Sequence, residues 1–339
     1  MNEIVKTAII GAGRWGQVMI AAWQKNPNVS IEAVCDLNGE QARAVADKHN
    51  IPRSFSDINE MFRTADIDAV GIATPDFAHR DPVVISLEHG KHVLVQKPMA
   101  TNVADCQAMV KAQESSGAHL MVDFQHRWGI GYREARVAVS QESFGNPVHG
   151  RIRMSNKQSV PLEMLSWSGQ SNVLWFIGTH TLDLLRYILG SDPVKVFAAS
   201  ESNILRAKGP DTEDFFQSMI QFDNGAWIQM ENSWVLPAGG SSTNETDMII
   251  YGANESVEVK QSPTDLVVKS TEIGTEVPDG ARADITARHV SINHFIDCIR
   301  EGVAPSVTGY DGLMNTATLV AIEKSAKTGQ PVLIEEMLS

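Results

Sequence analysis

Over the first 125 residues, short apolar runs alternate with segments whose apolar positions recur at helical spacing. Residues 4–10 read as a buried strand, and 14–26 then place Met19, Ile20 and Trp23 on one helical face. The alternation continues with strands at 31–35, 68–74, 92–95 and 119–124 and helices at 39–49, 82–89 and 103–115. Strands separated by helices of this length imply βαβ units and a parallel sheet. Their near-continuous apolar character fits a sheet covered on both faces. After about residue 145 the pattern changes. Strand-like stretches follow one another at 149–154, 194–200, 215–222, 226–234, 247–251, 257–259 and 266–269. Asp223-Asn224-Gly225 between two alternating runs is a hairpin signal. Helices are expected at 179–189, 285–300 and 313–327, and a mobile loop at 237–246, which is rich in Gly, Ser and Thr. The expected fold is α/β. A doubly wound parallel sheet spans residues 1–125. An α/β domain with an open, mainly antiparallel sheet spans 126–339, and its C-terminal helices are able to pack back on the first domain.

Composition narrows the function. A chain of 339 residues suits two domains at roughly 150 residues each. With 43% hydrophobic and 20% charged residues it can bury a sizeable core, which argues against disorder. Asp and Glu outnumber Lys and Arg by 41 to 28, a net charge of -13, so the footprint of a nucleic-acid or membrane-surface binder is missing. Cys35, Cys106 and Cys298 lie far apart, with no CxxC or Cys/His pairing. Neither a disulfide framework nor a metal site is expected, and no H-E-x-x-H or acidic cluster suggests one. No apolar run approaches the roughly 18 residues of a membrane span, and no export signal is visible at the N-terminus. The expectation is a cytoplasmic protein with reduced thiols.

Gly11-Ala12-Gly13-Arg14-Trp15-Gly16 matches G-x-G-x-x-G between a predicted strand and a predicted helix, the context that gives this weak pattern meaning. Gly11 permits the tight turn, Gly13 lets the backbone approach a pyrophosphate, and Gly16 lets helix and strand pack closely. Asp36 ends the second strand, 20 residues after Gly16, where an acidic residue bonds a ribose 2′-OH. Leu37 and Asn38 follow, with no Arg beside Asp36 to receive a 2′-phosphate. NAD is therefore expected over NADP, with Arg14 the one residue pointing the other way.

Gly90-Lys91-His92-Val93-Leu94-Val95-Gln96-Lys97-Pro98 is the most specific stretch. It resembles the G-K-H-V-L-x-E-K-P motif of the Gfo/Idh/MocA oxidoreductase family, the group of glucose–fructose oxidoreductase and inositol dehydrogenase. Thr74-Pro75 with His79 resembles that family's T-P-x-x-x-H segment, and Phe124-Gln125-His126-Arg127-Trp128 its F-N-x-R-F segment. Gly178-Thr179-His180 with Asp183 resembles its G-x-H-x-x-D helix start. The resemblance implies a Rossmann domain followed by an open-sheet α/β domain, with the site between them. It also implies a nicotinamide contact by the 74–79, 96–97 and 125 segments. Ligands of open α/β sheets bind beyond the carboxyl ends of the strands, and Thr74, Lys97 and Gln125 all follow such ends.

Lys97 is either a surface Lys at a turn or a positioned donor; the resemblance implies that it hydrogen-bonds the oxygen undergoing hydride transfer. His180 is either a locally satisfied helix-start His or the acid/base, whose ordinary pKa suits that task near neutrality. Asp183, one helical turn on, orients His180, binds substrate or is simply solvated. His79 touches nicotinamide or caps a helix. Arg127, Arg151, Arg153 and Lys157 form either a basic floor for an anionic substrate or a solvated sheet face. Trp167, Trp175 and Trp234 stack on a sugar ring or pack in the core, and His126 and Phe176 are further candidates for substrate contact.

Two departures from the family pattern stand out. Gln96 replaces the usual Glu, and Phe176 stands where an Asp is usual, four residues before His180. Loss of two carboxylates is expected to lower the Lys97 pKa and to favour an anionic substrate. The expected activity is NAD-dependent hydride transfer at a secondary hydroxyl or carbonyl of a sugar, cyclitol or sugar derivative. The rivals are a glycoside-cleaving relative that holds NAD throughout and a non-catalytic dinucleotide-binding regulator. An open sheet needs covering, so a homodimer or homotetramer is expected.

Overall fold

The computed structural model of the chain describes residues 4–239, 243–261, 266–271, 274–276 and 287–339. It divides into two compact units, Met1–Gln125 with Thr286–Thr316 and His126–Ile285 with Ala317–Ser339.

The first unit is built on six parallel strands: β1 (Val5–Ile10), β2 (Val29–Cys35), β3 (Ser54–Phe55), β4 (Ala69–Ile72), β5 (His92–Val95) and β6 (Leu120–Val122). Their order is β3-β2-β1-β4-β5-β6, and every neighbouring pair is parallel. β4 is buried along its whole length, as expected where helices cover both faces. The connecting helices are α1 (Arg14–Trp23), α2 (Gly39–His49), α3 (Ile58–Thr64), α4 (Arg80–Glu88) and α5 (Val103–Ser116). The chain leaves β1 to one side through β2 and β3, then returns to the other side at β4. The β1/β4 junction is therefore the topological switch point where such sheets take their ligands. β3 and α3 are additions to the sequence reading. A two-residue strand carries no alternation to detect, and α3 is marked mainly by its Asp57 cap, which accepts from the N–H groups of Asn59 and Glu60.

The second unit contains a nine-stranded sheet: β7 (Pro147–Lys157), β8 (Pro193–Glu201), β9 (Phe215–Phe222), β10 (Trp227–Leu236), β11 (Asn244–Gly252), β12 (Ser256–Gln261), β13 (Leu266–Thr271), β14 (Gly274–Glu276) and β15 (Val332–Leu333). The order is β14-β13-β12-β11-β7-β10-β9-β8-β15. All pairings are antiparallel except β7 with β10, which is parallel. The predicted hairpin joins β9 to β10, with Gly225 at φ +89° in the left-handed region that favours glycine. Two helices of this unit, α6 (Ile130–Val139) and α7 (Thr179–Leu189), pack against each other and against one face of the sheet. The other face carries exposed apolar side chains among the described residues. Phe197 on β8, Met219 on β9, Trp227 on β10 and Tyr251 on β11 are each more than a third exposed, and His149 of the intervening β7 stacks on Tyr251 with ring centroids 4.7 Å apart.

α8 (Ala287–Glu301) returns to the first unit, where Asn26 Nδ2 donates to Asn293 Oδ1 at 2.9 Å; α9 (Gly309–Thr328) follows. The start of the helix expected from residue 285 and the centre of the loop expected at 237–246 lie outside the described residues. The segment between the strands starts as expected after β10 but ends earlier, because Asn244 already pairs with Asn156 in the sheet. Among the described residues no helix is long and apolar enough to cross a membrane.

Candidate active site

The glycine loop has the geometry that its sequence implies. Gly11 sits at φ +98°, and a Cβ there would lie 2.6 Å from the backbone of Ala73 at the end of β4. A Cβ on Gly16 would lie 1.9 Å from the Gly11 carbonyl oxygen, so only glycine lets α1 start so close to β1. Gly13, by contrast, faces open space: a Cβ there would meet no protein atom within 4 Å. α1 begins at Gly13 with no side-chain cap and no acidic residue in its first turn, whereas α2, α3 and α5 are capped by Asn38, Asp57 and Asn102. Its first N–H groups and its dipole are thus left for an anion.

Asp36 is held in place by two backbone donors. The Ala12 N–H reaches its Oδ2 at 2.8 Å and the Asn38 N–H its Oδ1 at 2.9 Å. Gly11, Gly13, Asp36, Thr74 and Pro75 line one cavity of about 870 Å³, the size of a nucleotide-scale site. Leu37, 96% exposed, also lines it. Among the described residues Arg80 is the one cation on its wall, and it is paired with Asp81 at 2.5 Å and Asp105 at 3.4 Å. Asp57, Asp81 and Asp105 add further negative charge to the wall. Arg14 and Trp15 lie on the first turn of α1 and do not line this cavity; Arg14 is exposed, and Arg288 lies over the Trp15 ring at 5.1 Å.

The remaining residues of this unit cluster where β4, β5 and β6 end. His79 is 1% exposed, with Nδ1 2.9 Å from the Pro98 carbonyl oxygen and Nε2 3.0 Å from that of Thr74. It ties the turn after β4 to the turn after β5, which makes it a brace for the residues around it. Lys97 lies in that second turn. Burial pushes its pKa down to about 8, while Asp76 and Asp123 pull the other way. From sequence alone, a depressed Lys97 follows from missing carboxylates. The larger cause is desolvation, and a carboxylate is in fact present: Gln96 donates to Asp123 Oδ2 at 2.7 Å. Asp123 is a residue that sequence reasoning passed over, although it directly follows β6 at the carboxyl edge of the sheet. Gln125 is 7% exposed, and its Oε1 is buried without a hydrogen-bond partner among the described residues, an acceptor open to a ligand donor.

In the second unit His180 stands in the first turn of α7, 7% exposed, with the His126 ring edge-on to it at 4.4 Å between centroids. Arg127 and Asp183, expected separately against substrate or His180, pair with each other. Arg127 Nε donates to both carboxylate oxygens at 2.9 and 3.1 Å, and its Nη2 donates to Oδ1 at 2.5 Å. At 8% and 1% exposure this is a buried, bidentate ion pair.

Two of the sheet arginines are paired as well. Arg151 pairs with Asp247, and Arg153 with Asp247 and Glu245, across β7 and β11, because opposite charges face each other in that register. Phe176 lies in a π-helical stretch, Leu174–Gly178, that runs into α7. Its ring is 6.0 Å from that of Trp167 and 5.8 Å from that of Trp234. Trp234 is fully buried, Trp167 is 40% exposed, and Trp175 is taken by a hydrogen bond to Glu323 at 2.9 Å. Among the described residues no group of three or more His, Cys, Asp or Glu is placed to hold a metal ion.

The model of the oxidoreductase family with the NAD-binding Rossmann fold matches residues 5–124, and that of the same family's C-terminal alpha/beta domain matches 136–334. The chain belongs to the Gfo/Idh/MocA oxidoreductase family. Its first domain is the family's NAD-binding domain, and the glycine loop, the uncapped α1 and Asp36 are residues that fit this cofactor. Among curated members, the chain is 26% identical to the 1,5-anhydro-D-fructose reductase of Ensifer adhaerens, over 96% of this chain and 98% of that one. It is 25% identical to the scyllo-inositol 2-dehydrogenase (NAD(+)) of Bacillus subtilis, over 99% and 98%. A solved structure of an oxidoreductase from Agrobacterium radiobacter, in complex with NAD+, L-tartaric acid and magnesium, superposes with a TM-score of 0.87 at 25% identity, covering 99% of this chain and all of that one.

Proposed function

We propose that this protein catalyses NAD-dependent hydride transfer at a secondary hydroxyl or carbonyl of a sugar or cyclitol. The observation that carries this reading is Lys97, desolvated to a pKa of about 8 at the same strand-end edge as the glycine loop. NAD, when bound, supplies the hydride acceptor. Lys97 in its ammonium form donates to the reacting oxygen and stabilises negative charge there. His180 takes the hydroxyl proton during oxidation and returns it during reduction. Gln125 offers its carbonyl oxygen to a ligand donor, and His79 holds the Thr74 and Pro98 turns in place. Persistence of both Lys97 and His180 favours an enzyme over a non-catalytic regulator. Phe176, the main argument for the regulator, is accounted for by its packing between Trp167 and Trp234.

The substrate class follows from the same residues. Three of the cations expected to attract an anion are paired, and a carboxylate stands beside Gln96. A neutral polyol therefore fits better than a sugar acid. Two of the relatives are named for such substrates, an anhydrosugar and an inositol. We assign the exposed Trp167 edge, with Phe176 behind it, to the apolar face of the sugar ring. Trp167→Ala should then raise KM several-fold with kcat little changed, since a ring contact contributes about 0.5–1.5 kcal/mol. A change confined to kcat would remove Trp167 from substrate binding. The activity itself is tested by NADH formation across neutral sugars, inositols and sugar acids. The acid arm belongs in the panel because the Agrobacterium protein binds L-tartaric acid. Turnover of acids alone would overturn the neutral-substrate reading, and no turnover with any member of the panel would count against the activity.

For the cofactor, Asp36 bonds a free 2′-OH and repels a 2′-phosphate, and Arg80 on the cavity wall is already paired with Asp81 and Asp105. NAD is expected to bind at least about tenfold tighter than NADP, or about 1.4 kcal/mol. Equal or reversed affinity in a calorimetric titration would contradict this. The open face carrying Phe197, Met219, Trp227 and Tyr251 is assigned to a second copy of the chain. Sedimentation of the protein as a monomer at micromolar concentration would exclude that. A cytosolic setting is in keeping with three cysteines that are buried and joined in no disulfide, and cell fractionation tests it.

A further inference from the structure

Asp123 is 1% exposed and lies one residue beyond β6. Both of its oxygens are engaged: Gln96 Nε2 donates to Oδ2 at 2.7 Å and Ser291 Oγ to Oδ1 at 2.5 Å. Only the amide nitrogen of Gln96 can serve a carboxylate, so the orientation of this side chain is fixed by its partner. A glutamate at 96 would bring two carboxylates to hydrogen-bond distance in a buried place, where ionising both is costly. Gln96 and Asp123 are therefore a matched pair, each explaining the other. Gln96 is also the residue immediately before Lys97, so the pair fixes the end of β5 from which Lys97 departs.

We infer that Asp123 is a positioning residue for Lys97, anchoring its strand end through Gln96 and supplying the negative charge that keeps its amine protonated. Lys97 has Asp76, in the turn after β4, and Asp123 near it, and Asp123 has Arg288 of α8 and Lys97. Burial raises the Asp123 pKa, while Ser291, Gln96, Arg288 and Lys97 favour its ionised form. The negative charge expected at 96 has in effect moved to the neighbouring strand end.

The inference relies on the proposed function only for what Lys97 does, not for how it is held. Its test uses the full-length protein and three variants, Asp123→Asn, Gln96→Glu and the exchange Gln96→Glu with Asp123→Asn. The primary readout is the pH dependence of Lys97 acylation by acetic anhydride, followed by peptide mass spectrometry, which reports the free-amine fraction without substrate or cofactor. Asp123→Asn should move the midpoint down by about half a unit or more, and Gln96→Glu should move it up. The exchange, which restores one carboxylate and one amide, should return it to within a few tenths of the native midpoint. It should also recover the thermal stability lost in Gln96→Glu. If Asp123→Asn does not fold, Gln96→Glu against the exchange decides the matter. Midpoints that stay put in folded variants, or an exchange that restores neither midpoint nor stability, would overturn the inference. Shifted midpoints together with full turnover by Lys97→Ala would instead leave the pairing intact and refute the donor role.

Discussion

Replacing Lys97 by alanine is expected to lower kcat by about 10² or more while leaving NAD affinity little changed. Removing one preorganised donor from a developing oxyanion typically has an effect of this size. The cofactor contacts assigned here come from the glycine loop and Asp36, so they do not depend on Lys97. The expected pH dependence has a definite sign. The ammonium form is the donor, and burial has brought the Lys97 pKa down to about 8. Carbonyl reduction should therefore hold steady below that pH and decline as pH rises through it. The decline assigned to Lys97 should be absent from the residual activity of the alanine variant. Steady-state kinetics from about pH 6 to 10, with calorimetric NAD binding alongside, checks both halves. An alanine variant with near-native turnover would take Lys97 out of the mechanism.

Asp183→Ala is expected to destabilise the second unit by about 3–5 kcal/mol, because it leaves the Arg127 guanidinium buried without its counter-charge. In a unit of this size the loss corresponds to a fall in Tm on the order of 10 °C. Replacing both partners with leucine should recover much of it, since a buried ion pair contributes little net stability over well-packed apolar groups of similar volume. Thermal and denaturant unfolding of the three variants gives the comparison. A single variant whose Tm stays within about 2 °C of native would show that Arg127 finds compensation elsewhere and that the pair is not what holds α7 to the segment carrying His126.

Local conformation was legible in the sequence, and side-chain partnership was not. The strand, Gly11, Gly13, Gly16 and the helix start could be read in order because each glycine answers a constraint within a few residues of itself. The alternation of strands and helices indicated the parallel sheet, and Asp223-Asn224-Gly225 the β9–β10 hairpin of the second sheet. The direction of β7 against β10 could not be read, since alternation along a strand does not name its neighbour. Arg127 and Asp183 are 56 positions apart, and Gln96 and Asp123 are 27 apart. Arg127 and Asp183 read as separate functional groups until they were paired, Gln96 read as a missing carboxylate, and Asp123 was not read at all. Phe176 looked like a lost carboxylate. Its place in a π-helical stretch between two tryptophans depends on backbone geometry that the helical period hides.

The central claim is that the protein moves hydride between NAD and a carbinol carbon with Lys97 on the reacting oxygen. The most direct measurement uses a neutral polyol from the panel, labelled with deuterium at the oxidised carbon, and follows the label by mass spectrometry in native protein and in Lys97→Ala. Native protein should give one deuterated NADH per ketone formed, and Lys97→Ala should form both at least about a hundredfold more slowly. Unlabelled NADH, a cleaved glycoside without net NADH, or equal rates in the two proteins would contradict the claim.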